Sequence, residues 1–284
     1  MLGQWSATGL MILNNLHQNW MNANKALLRI SSGYRINSAA DDPAGLAISE
    51  KMRAQIRGLN MASKNIQDGI SLVQTAEGAL NETHAIIQRM RELAIEAAND
   101  TLTDDDRKHL DLEFQQLKEE ITRIAKQTEF NTRPLLNGDY ESNPLKIQIG
   151  ANAGQYMEIY IGNVDSTSLG LDNHDITTRD GADKAIGALD KALQQVSSER
   201  SRLGAYQNRM EHAYNNVMNT AENLTAAESR IRDADIAKEM MNYTKASILA
   251  MAAQQVLALH LQQAQSILNF FRQKSPILKE CEGR

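Results

Sequence analysis

Cysteine, proline and aromatic residues are scarce in this chain, and neither sign of charge dominates it. One cysteine, Cys281, in 284 residues cannot close a disulfide, which excludes a disulfide-stapled domain. Thirty Lys and Arg against 35 Asp and Glu give a net charge of −5. That lacks the basic surplus that phosphate contacts favour, so nucleic acid is not expected as a partner. No stretch reaches the roughly 18 consecutive apolar residues of a bilayer span, and a membrane is not expected either. The first charged side chain is Lys25. The N-terminal region therefore lacks the basic segment and cleavage site of a secretory signal, and if the chain leaves the cell another route is implied.

The chemistry of a conventional enzyme is missing as well. The six histidines, His17, His84, His109, His174, His212 and His260, show no metal-ligand spacing, and no His-Glu-x-x-His occurs. There is no Gly-x-Ser-x-Gly, no phosphate-cradling glycine loop and no Cys-x-x-Cys. Glu119-Glu120 and Asp41-Asp42 are paired only in sequence, since adjacent residues on a helix do not face one another. The Asn-x-Ser/Thr matches at Asn81, Asn99, Asn223 and Asn242 fall mostly in expected helices. The sequence therefore predicts no catalytic residues, no cofactor and no metal.

What the chain does have is long helical patterning. Its four prolines, Pro43, Pro134, Pro144 and Pro276, leave residues 44–133 and 145–275 free of the strongest helix breaker. In the first span a seven-residue step selects Met52, Leu59, Ile66, Val73, Leu80, Ile87 and Ala94; in the second, Leu189, Val196, Leu203, Met210, Val217, Leu224 and Ile231. Each is a coiled-coil-like seam, whose burial contributes roughly 10 to 20 kcal/mol before chain entropy is subtracted. The first helix, over residues 44–98, would be about 80 Å long at roughly 1.5 Å per residue. A compact chain of this length is only about 50 Å across. The expected fold is mainly α: an elongated antiparallel helical bundle.

A third helix is expected to open at Thr103, with Asp104, Asp105 and Asp106 in its first turn where the helix dipole favours negative charge. The triplet reads as a helix start rather than a metal site, because no calcium loop follows. Alternation then puts Leu145, Ile147 and Ile149 on one side of a first run and Met157, Ile159 and Ile161 in a second, separated by Gly150-Ala151-Asn152-Ala153-Gly154, which reads as a small β-hairpin within about residues 133–164. Residues 162–181 read as a loop with one short turn. Two amphipathic, polar-rich segments remain at the ends. One carries Leu10, Leu13, Leu16, Trp20 and Leu27; the other carries Ile248, Met251, Leu257, Leu261, Leu268 and Phe271. Such helices are marginal alone and need partners to bury their stripes, so these residues are expected to mediate self-assembly.

The segment Arg35-Ile36-Asn37-Ser38-Ala39-Ala40-Asp41-Asp42-Pro43-Ala44-Gly45 resembles the N-terminal signature of bacterial flagellin. The likeness continues through Gln67-Asp68-Gly69-Ile70, Thr128-Glu129-Phe130-Asn131 and Gln148-Ile149-Gly150-Ala151-Asn152. On the C-terminal side, Leu203-Gly204-Ala205-Tyr206-Gln207-Asn208-Arg209 and Ala226-Ala227-Glu228-Ser229-Arg230-Ile231-Arg232-Asp233-Ala234-Asp235 look like the matching motifs. The resemblance spans roughly residues 10–272.

It implies a structural subunit that polymerises into the flagellar filament, outside the cell, exported without a cleaved signal peptide. Residues 1–42 and 233–284 would pair as a terminal filament-core domain, with residues 43–232 as the helical rod. The short interval after the hairpin implies a minimal form without outer domains. Partners implied are further copies of the chain, an export chaperone, cap and junction proteins, and the vertebrate innate immune receptor for flagellin. For that receptor the resemblance points to Gln88, Arg89 and Leu93, with Glu120 on the third helix. Arg89 and Leu93 are four apart and are expected to share an exposed face. A hook-to-filament junction protein, or a secreted helical bundle that does not polymerise, are the alternatives. The chain departs from the family at Leu2-Gly3-Gln4-Trp5, at Leu259-His260-Leu261 and at Phe270-Phe271-Arg272, and residues 273–284 are expected to be a disordered tail broken at Pro276.

Overall fold

A computed structural model describes residues 2–279, apart from the side chains of residues 2–6, 268 and 271–279. Six helices and two short hairpins follow in order: α1 (Leu2–Ser32), α2 (Pro43–Ala97), α3 (Asp104–Gln127), β1 (Glu129–Phe130), β2 (Arg133–Pro134), α4 (Asp139–Ser142), β3 (Leu145–Gln148), β4 (Tyr156–Ile159), α5 (Arg179–Arg232) and α6 (Ile236–Lys279). The chain divides into two units, one of residues Met1–Met52 with Ala226–Arg284, the other of Arg53–Thr225.

The second unit is built on the two seams. Ile66, Val73, Leu80, Ile87 and Ala94 of α2 and Leu189, Val196, Leu203 and Met210 of α5 are all fully buried in one apolar cluster. Phe114, Ile121 and Ala125 of α3 join it. The start of α3 is fixed locally. The Thr103 hydroxyl accepts from the N–H of Asp106, and the Asp106 carboxylate accepts from the N–H of Thr103, the reciprocal arrangement of a capping box. Hydrogen bonds from Thr103 hold the Asp106 carboxyl below its ordinary pKa. The end of α2 has no glycine cap. Instead the buried Arg107 donates from Nε to the carbonyl of Ala97 (3.0 Å), which the helix end leaves without an intrahelical partner, and from Nη2 to that of Asn99 just beyond it (3.1 Å).

In the larger hairpin Leu145 faces Ile159 and Ile147 faces Met157. Leu145, Met157 and Ile159 point into the cluster while Tyr156 is exposed, so the alternation is as expected, with Ile149 and Ile161 just beyond the strand ends. Three features were not expected. A smaller hairpin, β1–β2, turns through Asn131 and Thr132, both at positive φ (52° and 63°). Asn tolerates this geometry; a β-branched Thr there carries no sequence signal for it. The single turn α4 follows Gly138. Residues 160–178 form a packed segment rather than a plain loop: Val164, Leu169, Leu171 and Ile176 are buried against the helices.

In the first unit α1 and α6 pack on one another. Gly33, at φ 74°, ends α1, its N–H donating back to the carbonyl of Arg29 (2.9 Å) as left-handed helix caps do. The connection 33–42 is pinned to residues 231–234. The N–H of Arg35 donates to the carbonyl of Arg232 (2.7 Å) and the N–H of Ala234 to that of Gly33 (2.9 Å). Arg232 stacks over the Tyr34 ring and donates to Glu50. The Asp41 carboxylate accepts from Lys25 (3.0 Å) and from the N–H groups of Asn37 and Ser38. The Lys25 hydrogen bond is the largest reason that its pKa falls to about 2; burial opposes the drop, and the two N–H groups add to it. Asp42 caps α2 at the N–H of Gly45 (2.9 Å), and a Cβ on Gly45 would collide with that carboxylate and with Ile36.

The expected break at Pro276 does not occur, since α6 continues through it to Lys279. A proline removes one helical hydrogen bond, and this one lies within a turn of the helix end. Cys281 and the other residues from 280 onward lie outside the described residues.

Candidate assembly interface

Which side chains α1 and α6 turn toward one another decides what they leave for other partners. Ala23 and Ala26 of α1 and Ala246 and Ala250 of α6 are buried. Gly9 lets the His260 ring come close, and Arg29 reaches Glu239 across the pair (3.1 Å). Small side chains thus form much of the contact among the described residues, and the Arg29–Glu239 ion pair crosses it. The large apolar side chains are left outside. Leu10 is 64% exposed, Trp20 50% and Ile248 56%, and Leu13, Leu27, Met251 and Leu261 are similarly open. Leu16 and Leu257 are half-buried, and the side chains of Leu268 and Phe271 lie outside the described residues.

The seven-residue step Leu13, Trp20, Leu27 runs along a shoulder of α1, beside its alanine face. A second row was missed by the sequence reading: Met21 and Leu28 on α1, and Met241, Leu249, Val256 and Leu259 on α6, are exposed too. The signal was available, because both helices carry more apolar residues than one stripe holds. A helix that is apolar on more than one side needs more than one partner. Exposed leucines and isoleucines each forgo roughly 1.5 to 3 kcal/mol of burial, and contiguous apolar patches of this kind mark association surfaces.

The rod-face residues are arranged differently from expectation. Gln88 and Arg89 are exposed on α2, Gln88 contacting the His84 ring (3.1 Å). Arg89 donates to Glu113 of α3 (3.0 Å) and to Glu92 (3.2 Å), and these carboxylates, Glu113 first, raise its pKa. Glu120 on α3 is paired with Arg123, whose hydrogen bond lowers the carboxyl's pKa. Leu93, however, is 1% exposed and belongs to the core cluster with Met90, Ala94 and Ala97. It is no exposed anchor beside Arg89. With both α3 and α5 contributing to the same cluster, the buried arc of α2 is wider than one seam and takes in the position four residues beyond Arg89. The partner that sequence spacing missed is Glu113, on another helix and beyond the reach of any i, i+4 rule.

Comparison with known proteins identifies the family at both ends of the chain. The family described as the bacterial flagellin N-terminal helical region matches residues 7–141, and the bacterial flagellin C-terminal helical region matches residues 186–271. The chain is 53% identical over 264 residues to a flagellin of Halalkalibacterium halodurans, covering 91% of this chain and 96% of that one. It is 47% identical over 295 residues to a flagellin of Bacillus subtilis, covering 93% and 97%. Among solved structures, Bacillus cereus flagellin superposes with a TM-score of 0.50 at 35% identity, over 58% of this chain and 94% of that one. A flagellar hook-associated protein of Vibrio parahaemolyticus, described as putative, shares the fold alone, with a TM-score of 0.57 at 14% identity over 68% and 100%.

Proposed function

The chain belongs to the bacterial flagellin family as a filament subunit, in a short form without an outer variable domain, and from that premise we propose which parts of it assemble and which parts only fold. Flagellins are structural proteins of an extracellular appendage whose role is motility. The junction-protein alternative has only a shared fold behind it. In the proposed division, residues 1–42 and 233–284 form the filament core, packing copy against copy, and residues 43–232 form the rod. The role is structural, with no catalytic step. The observation that carries this is the placement of Leu10, Leu13, Trp20, Leu27, Ile248, Met251 and Leu261 outside a helix pair held together by alanines. Removing residues 1–32 and 237–284 should leave a folded, soluble monomer that no longer elongates filament seeds. A trimmed core that unfolds by circular dichroism, or that still forms filaments, contradicts the division.

The partners of the unassembled subunit follow the same reading. An export chaperone and the flagellum's own secretion apparatus handle the monomer, and cap and junction proteins meet its terminal helices. The vertebrate innate immune receptor takes the rod face at Gln88, Arg89 and Glu120, with Leu93 beneath as a packing residue. Arg89→Ala should lower monomer potency severalfold in a receptor-reporter assay without changing its circular dichroism; unchanged potency removes Arg89 from the receptor face.

A further inference from the structure

The chain holds twelve methionines against four phenylalanines, and their burial splits sharply. Met90 and Met210 are fully buried in the second unit, and Met157 nearly so. Five methionines stand exposed on the terminal helices: Met11 and Met21 on α1, and Met240, Met241 and Met251 on α6, with Met241 67% and Met251 53% exposed. Met61 and Met218 are the exposed ones of the second unit. Met240 and Met241 also line an apolar groove of about 570 Å³ with Ile248 and Leu249. Being consecutive on a helix, they point about 100° apart and so cover two sides of α6.

A thioether is apolar and adaptable, which suits a surface that must repack, and it is also the side chain that peroxides oxidise most readily after a thiolate. We propose that Met11, Met21, Met240, Met241 and Met251 are an oxidation site of the unassembled subunit through which hydrogen peroxide blocks filament growth. The sulfur lone pair attacks one peroxide oxygen and the O–O bond breaks. The sulfur is oxidised by two electrons to the sulfoxide, and the remaining oxygen leaves as water with both protons. The product oxygen is a strong acceptor that must be stripped of water when the face packs, and nothing apolar opposite can satisfy it. The inference rests on the proposed assembly role of α1 and α6. Assembly itself should then protect these sulfurs, so the sensitive species is the subunit before it is added.

The test uses full-length monomer with Cys281 alkylated, treated with hydrogen peroxide, mapped by peptide mass spectrometry and added to untreated filament seeds. Sulfoxide should form at the five terminal methionines at least tenfold faster than at Met90 and Met210. Elongation should fall at least tenfold, and methionine sulfoxide reductases should restore it. A variant with all five changed to Leu should elongate after peroxide as before it, while the pair Met61→Leu and Met218→Leu should leave the sensitivity intact. Equal oxidation rates at terminal and buried methionines, or fully oxidised monomer elongating at the untreated rate, overturn the proposal. Should the five-Leu variant not elongate at all, peroxide treatment of finished filaments decides: the five sites must oxidise severalfold more slowly than in monomer, and equal rates overturn it. Untreated monomer that never extends seeds indicts the assembly assignment instead, and the oxidation map still stands or falls on its own.

Discussion

The two units solve the same problem with opposite choices of side chain. In the second, helices α2, α3 and α5 meet through Leu, Ile, Val, Met and Phe, and few of their large apolar side chains stay exposed, Met61, Ile95, Leu112 and Met218 among them. In the first, α1 and α6 meet through alanines and leave leucines, methionines and a tryptophan outside. Each helix has the apolar content to build a core. The difference is where that content points, and on the proposed division it separates a region that folds on its own account from one whose folding is completed by neighbours.

Substitutions across this divide should have opposite signatures. Phe114→Ala removes a fully buried ring and should cost about 3 to 5 kcal/mol in monomer stability by denaturant unfolding. Trp20→Ala, at a half-exposed position, should change monomer stability by no more than about 0.5 kcal/mol, yet reduce seeded elongation at least tenfold. A Trp20→Ala monomer as destabilised as Phe114→Ala would erase the contrast. Next in size is Arg107→Ala, which strips the donors from the carbonyls of Ala97 and Asn99 at the end of α2. It should cost about 2 kcal/mol, with fast amide exchange confined to the α2–α3 junction.

The smallest effect is a pH dependence specific to the first unit. Asp41 titrates near 2 in the folded chain against an ordinary value of 3.8. Between those values the unfolded chain binds more protons, so this group's contribution is present above about pH 4 and is lost as pH falls toward 2. Asp41→Asn should flatten that part of the local stability profile of the 33–42 connection, read by exchange of the Asn37 and Ser38 amides. Amides whose acid sensitivity survives the substitution would remove Asp41 from the account.

The lengths and seams of α2 and α5, the helix start at Thr103 and the β3–β4 hairpin are legible in the sequence because each depends on a local period or a side chain reaching its own backbone. The features that were not legible depend on a third partner. Leu93 is buried because α2 is covered by more than one helix, and a single seven-residue seam does not announce that. The burial of Leu169, Leu171 and Ile176 needs the helices already in place, since nothing periodic marks them. On α1 the amphipathic stripe was visible, and its large apolar residues were expected to mediate self-assembly, but the spacing did not say which side chains pack on α6. The structure puts Ala23 and Ala26 there. The choice of small residues for that contact was not legible from the period alone.

The central claim, that α1 and α6 carry assembly while α2, α3 and α5 carry folding, meets its most direct test in residue-resolved amide hydrogen exchange of monomer and filament. Helices whose buried contact is mostly small side chains open locally at low cost, whereas those around a large apolar core open with the whole domain. In the monomer, amides of α1 and α6 should exchange orders of magnitude faster than those of α2 at Ile66 to Ala94, and in the filament the two sets should converge. Terminal helices as protected in the monomer as α2, or unprotected in the filament, would contradict the account.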